Sequence, residues 1–515
     1  MTIHSQGDSP ISTTAQTVID EIRSMVPPDW TEDLDLDTSL YDIGLDSLAR
    51  MEIITRLEKV FGIRFTEDLL FDLETCGDLV DCIDELTGNV PAYGSVGKKP
   101  DSVDDEPEQP VDVAPEVFDV SLFPECVEFQ QRLSIAETFG LVNPFFRVNQ
   151  STHEAIAQIA GNDVIRFTSF DYLGMATDPR VMAAAKEAID HFGTSASASR
   201  LVGGNNVISE ELDLEIADLV GTESAITFPS GYGTNASVFG HLFNAKDLIL
   251  YDELAHNSIA QGAMLSKAAK RSFAHNDYEL LDELLTDLRG KYRRVVVAIE
   301  GVYSMDGDYP DLEKFIEVKK RHKALLYVDE AHSLGTMGPG GRGICEHFGI
   351  DPAEGDLWMG TISKALGSGG GYLAGRAPLM QYLKYTTPSF VFSTACSPPN
   401  AAAALMSVKL LKQEPERVAR LRERSDLFLK CAQDLGLNTG DSADTPIVPI
   451  ILGDSSRCIR VSTALLQKGV DAQSILYPAV PESGARIRFF ITANHTEEQI
   501  TRAAQALEEC LNENP

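Results

Sequence analysis

Thr361-Ile-Ser-Lys364-Ala-Leu-Gly-Ser-Gly-Gly-Gly371 is the stretch on which the reading of this chain turns, with Val328-Asp329-Glu-Ala-His332 upstream of it. A lysine amine in a hydroxyl-rich, glycine-rich turn suits a cofactor that carries a carbonyl. The amine forms a Schiff base, while hydroxyls and backbone N–H groups hold a phosphate. Asp329 closes the apolar run Ala324-Leu-Leu-Tyr-Val328, where a carboxylate can pair with a buried ring nitrogen. Either piece alone is weak. In this order they read as a site for pyridoxal 5'-phosphate.

Working outward, short apolar runs lie at 224–228, 248–251, 295–299 and 325–328, separated by segments of helical period. That alternation predicts an α/β fold with a mostly parallel central sheet and helices on both faces. The tail carries a long helical stretch, strand candidates at 445–452 and 485–491 and a terminal helix at 497–511. It reads as a smaller C-terminal α+β domain. Toward the N-terminus, segments 14–25, 48–61 and 77–86 predict a small all-α unit. Residues 90–115 lack periodicity and carry Pro, Gly and acids, the composition of a flexible linker. A coil of about 25 residues spans on the order of 25–30 Å. The expected organisation is a helical unit at 12–88, an acidic linker at 89–116, a large cofactor-binding domain with an N-terminal arm at 117–395, and a small domain at 396–515.

The 515 residues allow two or three domains, and 43% hydrophobic with 23% charged residues is a soluble globular composition. No stretch approaches the roughly 18 apolar residues of a membrane span, and the N-terminus lacks a secretion signal. Eight cysteines without C-x-x-C spacing argue against a zinc site or a disulfide framework, so no metal is expected and the reducing cytoplasm is. The net charge of −35 is uneven: residues 1–120 hold 28 acids against 7 bases, a net of −21. Such a unit repels nucleic acid and suits a basic patch on a partner, although solubility alone explains it equally well.

In that acidic unit, Leu40-Tyr-Asp-Ile-Gly44-Leu-Asp46-Ser47-Leu48 places a hydroxyl beside acids at a helix start, which also suits a plain N-cap. Further on, Phe228-Pro-Ser230-Gly231-Tyr232-Gly-Thr-Asn235 follows a strand and precedes a helix, as a phosphate-binding turn or a simple tight turn would. His256 follows a strand, where a capping or packed histidine is also common. Ser304 follows the run at 295–299 at its carboxyl end, where α/β sheets keep ligand sites. Ser393 and Thr394 add hydroxyls. Arg488 adds a guanidinium able to grip a carboxylate bidentately, or merely to lie exposed.

Residues 12–88 resemble the acyl carrier protein family. That resemblance implies Ser47 as the attachment point of 4'-phosphopantetheine (covalent), whose thiol carries an acyl group. It also implies a phosphopantetheinyl transferase and an acyl-loading enzyme as partners. Residues 130–512 resemble the α-oxoamine synthase family of fold-type I pyridoxal-phosphate transferases, which includes 8-amino-7-oxononanoate synthase, glycine C-acetyltransferase, 5-aminolevulinate synthase and serine palmitoyltransferase. The likeness implies that Lys364 bonds the coenzyme, Asp329 pairs with its ring nitrogen and His332 contacts its phenolic oxygen. His256 would stack on the ring with Ser304 beside it. Ser230, Gly231, Tyr232, Thr361 and Ser363 would line phosphate and ring, and Arg488 would hold the substrate carboxylate. Ser393 and Thr394 would approach the phosphate from the second subunit of a homodimer whose active sites lie at the interface.

The implied reaction is a decarboxylative Claisen condensation of a small amino acid with an acyl thioester. The segment from Val328 to Gly343 looks more like serine palmitoyltransferase, and the tail from Arg486 to Ala503 more like glycine C-acetyltransferase. The arginine that 8-amino-7-oxononanoate synthase carries near 474–478 is missing, so serine, glycine and alanine all stay open. An aminotransferase on the same fold, or a catalytically silent partner subunit, also stays open.

Overall fold

The computed structural model describes residues 13–23, 25, 34–38, 47–65, 75–87, 113–138 and 141–514. The chain divides into two units, Met1–Asp112 and Val113–Pro515.

In the first unit the helices are Thr13–Arg23, Ser47–Phe61 and Cys76–Thr87, each within two residues of its predicted bounds. Their apolar stripes meet in one core: Val18, Ile19 and Ile22 against Ile53 and Leu57, and against Leu79, Val80 and Ile83. The Thr14 hydroxyl donates to Asp84 Oδ1 at 2.7 Å, which ties the first helix to the third. The capping reading at Asp46 or Ser47 and residues 89–112 of the expected 89–116 linker lie outside what is described, and the linker's last residues enter a short helix, Pro115–Phe118.

The second unit is built on a seven-stranded sheet. In chain order its strands are β1 Ser224–Phe228, β2 Leu248–Asp252, β3 Ala269–Phe273, β4 Val295–Glu300, β5 Leu325–Asp329, β6 Leu357–Thr361 and β7 Gly371–Gly375. Across the sheet they run β1-β7-β6-β5-β4-β2-β3. All neighbours are parallel except β7, which is antiparallel to both β1 and β6. Side chains alternate between two cores: Leu250, Val297, Leu326 and Trp358 face one side, and Ile249, Val296, Tyr327 and Met359 the other. Helices cover both faces because both faces are apolar.

Strands β3, β6 and β7 were not read from the sequence. The edge strand β3, Ala-Lys-Arg-Ser-Phe, has only Phe273 fully buried, so it lacks an apolar run. In β7 the glycines hide the signal, while Tyr372, Leu373 and Ala374 are buried and paired on both sides.

A second sheet, Ile447–Ile451, Arg486–Phe490 and Gln473–Ile475, packs against helices Ser455–Gln467 and Glu497–Glu513 around Phe428, Phe489 and Ile500. The last helix opens on a capping box, Thr496 with Gln499. The helix Pro398–Gln413 instead buries Ala401, Ala404 and Val408 in the core of the large sheet. No described helix is long and apolar enough to cross a membrane.

Candidate active site

The carboxyl ends of β1, β2, β4, β5 and β6 share one edge of the sheet, where open α/β sheets place their ligands. Thr361 ends β6 and Gly371 opens β7 directly opposite it, so residues 362–370 form a loop closed at both feet by sheet pairing. Lys364 projects from that loop. Its Nζ lies 2.6 Å from His332 Nε2, and His332 Nδ1 lies 2.7 Å from the Tyr172 hydroxyl. Burial pushes the lysine amine down to about 8; Asp329 and Glu300 pull the other way and Arg488 adds to the fall. Burial, with Lys364, Arg488 and His256 nearby, keeps His332 neutral, well below the ordinary histidine range.

Asp329 ends β5, is almost fully buried, and pairs in register with Glu300 at the end of β4. Its Oδ1 accepts from the Ala331 N–H at 2.9 Å and its Oδ2 from Asn235 Nδ2 at 2.7 Å. Asn235 is itself oriented by the Tyr327 hydroxyl, which donates to its Oδ1 at 2.6 Å. The same amide reaches Ser258 Oγ at 2.9 Å, and Ser258 Oγ lies 2.7 Å from His256 Nδ1. One asparagine thus connects the two expected catalytic residues Asp329 and His256. The His256 N–H donates to Glu300 Oε1 at 2.5 Å. Burial and the Asp329 charge hold the Glu300 carboxyl well above the carboxylate range. Sequence reading missed Asn235, Ser258, Tyr327 and Glu300 as site residues. Asn235 had a signal, an asparagine within the first turns of a helix that follows a glycine turn.

That helix, Gly231–Leu242, begins right after β1 with Ser230 as its N-cap. Ser230 takes the Gly233 N–H on its hydroxyl and the Thr234 N–H on its carbonyl. Among the described residues the N–H groups of Gly231 and Tyr232 have no protein acceptor. This helix start lies against Thr361, whose hydroxyl is 2.7 Å from that of Ser363. A Cβ on Gly231 would stand 2.9 Å from Thr361 Oγ1, and one on Gly371 would stand 2.6 Å from the Gly231 Cα. Only glycine lets these segments close into a cradle. Free N–H groups, three hydroxyls, a carboxylate at the far pole and an amine between them fit pyridoxal phosphate.

Arg488, on the strand Arg486–Phe490, is buried and donates through Nη1 to the Ser304 carbonyl at 2.8 Å. Among the described residues its Nε has no partner, so a donor remains for a carboxylate. Arg486 holds the same loop through Asp306 Oδ1, 2.5 Å from its Nη1. The Phe170 ring covers the lysine, 5.9 Å from Nζ, and meets Phe490 edge-on at 4.7 Å. Tyr232 reaches Asn257 Oδ1 at 3.1 Å and its ring faces the edge of His256. Ser393 and Thr394 follow the helix Pro388–Val391, next to the 84% exposed Phe392. No described hydrogen bond joins either of them to this cluster.

The fold and the site define a pyridoxal-phosphate enzyme of fold type I. Residues 162–507 match the family described as aminotransferase class I and II, and residues 30–83 match the phosphopantetheine attachment site. The 8-amino-7-oxononanoate synthase of Symbiobacterium thermophilum is 39% identical over 367 residues, 71% of this chain and 93% of that protein. That of Fervidobacterium nodosum is 40% identical, covering 70% and 92%. The Sphingomonas wittichii serine palmitoyltransferase structure superposes with a TM-score of 0.74 at 30% identity, covering 76% of this chain and 98% of that one. The chain belongs to the aminotransferase class I and II family and, within it, to the α-oxoamine synthases, with a phosphopantetheine carrier domain at its N-terminus.

Proposed function

We propose that this chain joins a small α-amino acid (serine, glycine or alanine) to an acyl group presented as a thioester on its own phosphopantetheine arm at Ser47. The bond from Cα to the carboxylate breaks, a bond from Cα to the acyl carbon forms, and CO2 and the free thiol leave an α-aminoketone. The observation that carries this reading is one polypeptide holding both a carrier domain and the Lys364–His332 pair within the field of Asp329.

Pyridoxal phosphate, when bound, supplies a carbonyl for the substrate amine and a ring that draws charge from Cα. Ser230, Gly231, Tyr232, Thr361 and Ser363 bind its phosphate, and Asp329, oriented by Asn235, anchors its ring nitrogen. Arg488 holds the substrate carboxylate through its free donor. Lys364 Nζ, already pushed toward its neutral form, takes the proton from Cα. His256 and Phe170 close the two sides of the site.

Ser393 and Thr394 serve the phosphate of a second copy, so the working form is a homodimer. The tether raises the local concentration of the acyl donor to roughly millimolar. A phosphopantetheinyl transferase and an acyl-loading enzyme supply the arm and its cargo in the cytoplasm.

The test mixes holo-protein, acyl-loaded at Ser47, with each amino acid. Release of CO2 is expected. Keto-acid formation would mark an aminotransferase, and neither product a silent subunit. Ser47→Ala should lose turnover on carrier-borne acyl groups while binding coenzyme normally; unchanged turnover with the physiological donor rejects delivery by this arm.

A further inference from the structure

We infer that Tyr172 is a positioning residue: its hydroxyl fixes His332 in the tautomer that carries hydrogen on Nε2, so the imidazole donates toward Lys364. Tyr172 is fully buried and His332 is 4% exposed. Among the described residues the Tyr172 hydroxyl has a single partner, His332 Nδ1 at 2.7 Å. The other ring nitrogen faces Lys364 Nζ at 2.6 Å. A neutral imidazole has one donor and one acceptor, so only two arrangements exist.

If Nδ1 carries the hydrogen, it donates to the tyrosine oxygen. The Tyr172 hydrogen then has no acceptor in a dry interior, which buried polar groups avoid. If Nε2 carries it, Tyr172 donates to Nδ1 and Nε2 donates to the lone pair of Lys364. Both ring nitrogens and the Tyr172 hydrogen are then paired, provided the amine is neutral. Burial lowers both the imidazole and the amine, the amine to about 8, so this arrangement belongs to the pH range above that value, where the amine is neutral. The other charges facing Lys364 are Asp329 from β5, Glu300 from β4 and Arg488 from the strand Arg486–Phe490, with His256 near His332. They bias the amine under either arrangement. Among the described residues Tyr172 is the one group that contacts Nδ1, so with the amine neutral it chooses between them.

One consequence rests on the coenzyme-binding reading: when the amine is engaged elsewhere, the same N–H is left pointing at the space it vacates, a ready donor for an oxygen anion. The tautomer itself depends on neither the amino acid nor the acyl donor, so failure of the proposed condensation leaves it standing.

Two measurements on coenzyme-free, full-length protein decide it. In a neutron map of deuterated crystals held above about pH 9, where the amine is neutral, deuterium is expected on His332 Nε2 and on the Tyr172 oxygen toward Nδ1; deuterium on His332 Nδ1 overturns the inference. In Tyr172→Phe the ring is free to turn its acceptor toward the amine and stabilise the ammonium. Competitive labelling of Lys364 with trace acetic anhydride between about pH 6 and 10, read by peptide mass spectrometry, should show its midpoint rising by about one unit, a tenfold change in protonation. An unchanged midpoint in a folded variant overturns it, and the neutron result stands alone if the variant does not fold.

Discussion

Asn235 holds Asp329 by its side-chain amide, Nδ2 to Oδ2 at 2.7 Å, while the Tyr327 hydroxyl pins the other end of the same amide at 2.6 Å. The carboxylate expected to pair with the coenzyme's ring nitrogen ends a strand and is therefore aimed by a residue on a helix, Gly231–Leu242. Asn235→Ala leaves that oxygen buried without its donor, a loss of about 1–3 kcal/mol. Coenzyme affinity should fall about 10- to 100-fold by fluorescence titration, and Asn235→Asp, which sets two carboxylates together, should be worse.

Lys364→Ala should still take up coenzyme in the cradle formed by Ser230, Gly231 and Tyr232, but without a covalent bond. After borohydride reduction the intact mass of the wild-type chain keeps the coenzyme and that of the variant does not. Turnover should fall by at least about 100-fold, the low end of what a positioned proton acceptor contributes.

The rate at which coenzyme-free protein captures the aldehyde should rise about tenfold per pH unit up to about 8 and then level off, because only the neutral amine reacts. Stopped-flow absorbance measures this directly. A rate that keeps climbing to the ordinary lysine range would show that burial does not depress the amine.

Arg488→Lys keeps the charge and loses the planar fork. The amino-acid KM should rise about 10- to 100-fold, the worth of a charged hydrogen bond, with coenzyme affinity close to wild type. Steady-state kinetics beside a coenzyme titration separate the two effects.

His275 lies between two carboxylates, with Nδ1 2.9 Å from Asp252 Oδ1 and Nε2 2.7 Å from Asp308 Oδ2. Burial opposes the charged ring, but both acids outweigh it and raise the group to about 10. A raised histidine stabilises the fold fully below its unfolded value near 6.5, and that contribution disappears as the pH climbs through about 10. The Tm of wild type should therefore drop more steeply than that of His275→Gln between about pH 7 and 10.

Lys364 was legible from the hydroxyl- and glycine-rich run around it, and Asp329 and His332 from the apolar run that closes at Val328; both are local patterns. The partners that tune them are not local. Tyr172 reaches His332 across 160 positions, and Asn235 reaches Asp329 across 94. Only the closure of the sheet brings them together, and no spacing in the chain records it. Strand β7 was hidden for a related reason: Gly371 and Gly375 answer to neighbours in space, a helix start and the carbonyl of Asp356, rather than to strand propensity. The roles of Ser393 and Thr394 are a third kind of gap, since a single chain offers them nothing to touch in the cluster.

Because the nine residues that present the Lys364 amine are stapled at both feet to adjacent strands, their aim is inherited from the seven-stranded sheet. The Arg488 guanidinium, proposed to hold the substrate, belongs to a separate sheet and meets the loop after β4 at the Ser304 carbonyl and the Met305 sulfur. On the proposed roles, reactivity and selectivity therefore sit on different sheets, and a lineage or a designer can retool the second without rebuilding the first.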